Sequence, residues 1–158
     1  MNEERLVYWD LLLRGEEVDL SRLRALAAKT AVEAPEEEKA GWVLLLASVE
    51  LVQTGSIADQ RNLLAYLRYK FSQTDHPKRP KNFHPKDLEG AGLEKIVGIK
   101  LTWEEALISV GRTAKNEKGV DYSAQKRIEA KLKELSRKWW GELFGPLPKI
   151  LEGGEENA

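Results

Sequence analysis

An all-α fold, a compact bundle of about six helices with one long proline-rich connection, is what this sequence predicts. Three observations carry that expectation. Apolar residues recur at helical spacing through most of the chain. A Ser, Thr, Asp or Pro stands where each such stretch begins, and a Gly or Pro stands where most of them end. Period-two alternation of a half-buried strand is missing, apart from a few residues between Ile96 and Leu101.

The first helix falls within residues 3–14, with Leu6, Trp9, Leu12 and Leu13 on one side and Gly15 as its stop. Asp19 or Ser21 caps a second helix that runs to about Val32 on Leu23, Leu26 and Ala27. Ala-Pro-Glu-Glu-Glu at 34–38 opens a third, since proline suits a first turn and carboxylates suit the positive end of the helix dipole. Between residues 42 and 52 only Ser48 and Glu50 are polar, so this helix is expected at the centre.

Ser56 with Asp59 caps a fourth helix through about Gln73. Residues 74–101 interrupt the pattern with three prolines and three glycines; a short helical turn is expected near Lys95, and the segment should wrap the outside of the bundle. Thr102 and Glu105 form a capping box for a fifth helix through about Lys115. The sixth starts near Tyr122 or Ser123, lines up Ile128, Leu132, Leu135, Trp139 and Leu143, and stops at Gly145-Pro146. Glu129 with Lys133 and Glu134 with Lys138 stand four apart in the order that favours pairing. The expected organisation is one helical domain over 1–150, made of a four-helix part (1–73), a basic connector (74–101) and a two-helix part (102–145), with a flexible tail at 151–158.

Composition narrows the function classes. At 158 residues, 42% hydrophobic and 32% charged, the chain is too apolar for a disordered protein and too interrupted by charge for a membrane protein. Its most apolar stretch, Trp42 to Val49, is far short of a membrane span, so no membrane partner is expected. No secretory signal is evident at the N-terminus and there is no cysteine, which together make the cytoplasm the expected compartment. Abundant Glu, Lys and Arg beside few Asn, Gln and Met resembles the composition of proteins from hot environments.

Catalytic chemistry finds little support. Both histidines, His76 and His84, lie in the proline-rich connection, away from any nucleophile pattern, and no enzyme is expected. With Asp75 and Asp87 they match no metal-ligand spacing, so neither metal nor cofactor is expected. Glu-Gly-Ala-Gly-Leu at 89–93 lacks the strand and the lysine of a phosphate cradle and reads as a turn. Pro77-Lys-Arg-Pro80 fits the outline of a polyproline ligand. Gln60-Arg-Asn-Leu63-Leu-Ala-Tyr66-Leu67 resembles the motif by which replication factors dock on sliding clamps, with Leu67 in place of the second aromatic. The same residues fit packing positions of a core helix, which is the preferred reading.

The strongest pattern is electrostatic. Residues 1–60 carry 12 acidic and 6 basic side chains, a net of −6, whereas residues 61–86 carry 1 acidic and 7 basic, a net of +6. The basic set is Arg61, Arg68, Lys70, Lys78, Arg79, Lys81 and Lys86, interleaved with Tyr66, Tyr69, Phe71 and Phe83. Phosphates are met by such cations and exposed bases stack on such rings. Lys126, Arg127, Lys131, Lys133, Arg137 and Lys138 extend it along the sixth helix. The function expected is therefore a non-enzymatic helical subunit of a nucleoprotein assembly, binding DNA or RNA non-specifically. The alternative is a protein-interaction or homo-oligomeric adaptor, for which the adjacent Trp139 and Trp140 would supply an interface because neighbouring rings point in different directions.

Overall fold

The computed structural model describes residues 3–15, 18–74, 81–112, 115–116, 119–120 and 122–145. Helices α1 (Glu3–Arg14), α2 (Leu20–Glu33), α3 (Glu36–Thr54) and α4 (Ile57–Ser72) follow one another through short links. A 3-10 turn (Pro85–Leu88) and a single turn of helix, α5 (Leu93–Ile96), occupy the second half of the connection. Then come α6 (Trp103–Ser109), a two-residue antiparallel ladder of β1 (Lys115–Asn116) with β2 (Gly119–Val120), and α7 (Ser123–Phe144). The all-α expectation holds, with that ladder as the one addition among the described residues.

Local chemistry sets the boundaries. Asp19 accepts from the Arg22 amide to start α2, and Ser56 accepts from the Asp59 amide to start α4. Pro35 sits just outside α3, and three glutamates fill its first turn. The capping box of α6 is complete: Thr102 Oγ1 accepts from the Glu105 amide at 3.1 Å, and Glu105 Oε1 accepts from the Thr102 amide at 2.9 Å. Gly145, at φ 85°, ends α7 in a conformation that costs a side chain energy.

Helix α3 is the central element, packed against α1, α2, α4 and α7. Trp42, Leu45, Leu46 and Val49 have no exposed surface, and burying such side chains contributes about 1.5–3 kcal/mol each. Its two polar residues are satisfied inside: Ser48 donates to the Leu44 carbonyl and Glu50 accepts from Lys138 on α7. Ile128 and Leu132 of α7 are buried in this first core, while Leu135, Trp139 and Leu143 pack against it, as the stripe predicts.

A second core lies on the other side of α4. It gathers Ala65, Leu88, Ala91, Ile96, Leu101, Trp103, Ala106, Leu107 and Ala124. Tyr66 and Phe71 pack against both cores, so the two are joined through α4. Two expectations are corrected here. The later part of the connection is a wall of the second core and does not simply wrap the bundle. Helix α6 stops at Ser109, well before Lys115, because Gly111 turns with φ 77°. Residues 96–101 form no strand; their backbone is held by α4, with the Leu101 amide donating to Ser72 Oγ and the Leu101 carbonyl accepting from Gln73 Nε2. The expected tail at 151–158 lies outside the described residues.

Candidate nucleic-acid interface

Helix α4 carries three of the candidate cations, and its geometry separates them. At about 100° per residue, Arg61, Ala65, Arg68 and Ser72 share one side, and Asp59, Tyr66 and Lys70 share the opposite side. The first side faces α6 and the connection, through Ala65 in the second core and the Ser72 bond to Leu101. The second faces α7, where Asp59 accepts from Lys131 at 2.8 Å and the Glu129 carboxylate lies beside the Tyr66 hydroxyl. Arg61 is exposed, yet it stands half a turn away from Lys70.

Arg68 is not a surface cation. It is only 3% exposed, and its guanidinium donates to the Ser109 carbonyl and to the Leu13 carbonyl, each at 3.0 Å. Both acceptors lie at helix C-termini, where carbonyls lack helical partners and carry the negative end of the dipole. Burial pulls the Arg68 pKa down, with Glu89 opposing that shift. A guanidinium buried in this way cannot meet a phosphate, so Arg68 leaves the candidate set and becomes a structural tie between α1, α4 and α6.

Lys70 is exposed, with its Nζ 5.5 Å from the centre of the Tyr66 ring and 6.0 Å from that of Tyr69. Beside it opens a groove of about 620 Å³ between α1, α3, α4 and α7. Its apolar surfaces come from Trp9, Leu44, Leu67, Phe71 and Leu132. Lys70 and Lys133 stand at its edge, with Glu129 between them in sequence on the α7 wall. Among the described residues neither lysine forms an ion pair. Arg5 also lines the groove but is committed to Glu38, donating to its carbonyl at 3.0 Å and pairing with its carboxylate at 2.6 Å.

Tyr66 has its pKa pushed up to about 12, first by burial and then by the Glu129 carboxylate. Its ring stays neutral and its hydroxyl stays a donor through the whole physiological range. A second groove, of about 560 Å³, runs along the other side of α1, where Val7 is 57% exposed beside Leu6, Phe71, Leu93 and Val97. Thr74 borders both grooves.

The remaining candidates divide further. Lys86 is exposed on the 3-10 turn, which packs against α6, and Lys81 is exposed four residues before that turn. Lys78 and Arg79 lie outside the described residues, as do Asp75, His76 and the Pro77–Pro80 outline. His84 caps the 3-10 turn, its Nδ1 accepting from the Lys86 amide at 3.3 Å. Among the described residues no cluster of His, Asp or Glu has the grouping of a metal site. The expected neighbours of α7 are exchanged for cross-helix partners: Lys131 pairs with Asp59 and Lys138 with Glu50 at 3.0 Å. Part of the acidic first half and the basic second half thus neutralise one another inside the molecule.

The tryptophan pair is also corrected. Trp140 is 6% exposed and meets Phe144 edge-on at 4.8 Å, and Trp139 is half-buried against the first core. Neither ring is presented as an interface by this chain. The sliding-clamp outline is likewise consumed by packing: Leu63 and Leu67 are buried, Tyr66 is half-buried, and Gln60 Nε2 donates to the Val52 carbonyl at 2.8 Å.

The groove and the place of Lys133 in it escaped the sequence reading. Their signal was present in part, since Tyr66 and Lys70 are four apart on α4 and Glu129 and Lys133 four apart on α7. That the two pairs face one another depends on the packing of helices far apart in sequence. No known family model, curated protein or solved structure matches this chain.

Proposed function

We propose that this protein is a non-enzymatic nucleic-acid-binding subunit, and that it contacts phosphates through Lys70 and Lys133 at the edge of the four-helix groove. The observation that carries this reading is the contrast among its lysines. Lys131 and Lys138 are neutralised by carboxylates, whereas Lys70 and Lys133 are exposed without ion pairs and flank an aromatic, concave surface. Unneutralised cations beside aromatic faces are what a sequence-independent binder of nucleic acid requires. Lys78, Arg79 and Lys81 follow α4 in the chain, shortly after Thr74, which borders the groove. Arg61 and Lys86 contribute charge elsewhere on the surface.

The test is binding of labelled DNA and RNA at two salt concentrations to the wild type and to Lys70→Glu/Lys133→Glu. Affinity should fall with salt at a slope near −0.7 per phosphate contact on a single strand, and the variant should lose about two such contacts. Absence of binding at low salt sinks the reading. The second groove, with Val7 exposed in an apolar surface, supports the alternative of a protein-interaction or homo-oligomeric module. Light scattering over a range of concentrations tests self-association, and a strictly monomeric protein counts against pairing between copies.

A further inference from the structure

We infer that the four-helix groove takes a single strand with unpaired bases inside it, rather than a duplex lying across it. This rests on the nucleic-acid reading above and adds to it the form of the ligand. A duplex turns phosphates and sugars outward and keeps its base faces stacked. Laid on this surface it would satisfy Lys70 and Lys133 but leave the exposed apolar surface of Leu44 and Phe71 against water and sugar. A single strand has base faces to bury there, and base stacking on aromatic or apolar side chains is sequence-tolerant.

The volume agrees. At about 620 Å³ the groove lies within the range of sites that enclose small organic ligands, so it admits bases and is too small for a double helix.

The acidic member of the groove points the same way. Glu129 stands on the α7 wall one turn before Lys133, and it would repel a phosphate placed beside it. A base edge is different, because amino and imino N–H groups donate to a carboxylate. The Glu129 carboxylate lies beside the Tyr66 hydroxyl and helps to push its pKa up, and a carboxylate has lone pairs for more than one donor. Phosphates at the two lysines and a base edge at Glu129 therefore form one consistent pose, which a duplex cannot adopt.

The experiment uses the full chain and four probes: a labelled single strand, an abasic strand of equal length, the corresponding duplex, and an acidic amphipathic peptide. The expected result is binding of the single strand about tenfold tighter than either the abasic strand or the duplex. Leu44→Glu, at a position already 39% exposed and so tolerant of substitution, should reduce this preference while leaving thermal stability unchanged. Equal affinity for the abasic strand would overturn the inference and leave the phosphate reading intact. Tighter binding of the duplex would also overturn it. Binding of the peptide with none of the oligonucleotides would refute both and make the groove a dock for protein.

Discussion

The two cores of this molecule are held by different means. The first is built by long helices, α2, α3, α4 and α7 above all, whose backbone groups satisfy one another and whose apolar sides need only meet. The second is built from short pieces: a 3-10 turn, one turn of α5 and the seven residues of α6. A helix that short leaves most of its backbone groups without helical partners. Polar side chains of α1 and of α4 and its C-cap supply what is missing. Asp10 accepts from the Leu93 amide at 2.9 Å, Ser72 and Gln73 hold the two backbone groups of Leu101, and Arg68 holds the carbonyls of Leu13 and Ser109. Polar side chains that look like surface chemistry in the sequence can thus be the mortar of an irregular core.

Removing the mortar is the sharpest way to break that contrast. Arg68→Met should lower the unfolding free energy by about 3–5 kcal/mol, because two buried carbonyls lose their donors. Denaturant titration measures it, and a variant as stable as the wild type would mean that the tie is dispensable. A smaller effect is expected at the entrance to α6. Thr102→Ala removes half of the capping box and should cost about 1 kcal/mol, whereas removing an exposed hydroxyl from the long α2, as in Thr30→Ala, should cost less.

A pH-dependent effect concerns Tyr66, one of the residues packed against both cores. With its folded pKa raised to about 12 from 10.0, Tyr66 contributes stability that is fully present below pH 10 and is lost as pH rises towards 12. Ultraviolet titration of the phenols should find one tyrosine ionising well above the others. Glu129→Gln should bring it down part of the way, leaving the share that burial causes. A Tyr66 that titrates normally would mean that its ring is not enclosed between the cores.

What was legible in the sequence follows the same division. The long helices announce themselves because Leu, Ile and Trp recur every turn and because Asp19, Ser56 and Thr102 are recognisable caps. The wall formed by residues 88–101 carries no such period, since Leu88, Ala91, Ile96 and Leu101 are placed by turns and by contacts with α4 and α6. The candidate site was legible only as composition. Counting charge treats Arg68 and Lys70 alike, although two residues on a helix are about 200° apart and one points inward. The same tally could not foresee that Asp59 and Glu50 would neutralise Lys131 and Lys138, which lie 72 and 88 residues later.

The Arg68 tie also joins parts of the chain that are far apart in sequence. Its two acceptors lie 55 residues before it and 41 residues after it, so it closes two long loops at once. The earlier acceptor and Arg68 itself belong to α1 and α4, long helices that line the first core. The later one sits at the end of a helix too short to persist alone. One half of the Arg68 guanidinium therefore joins α4 to α1, and the other half is the point at which the short α6 docks on α4.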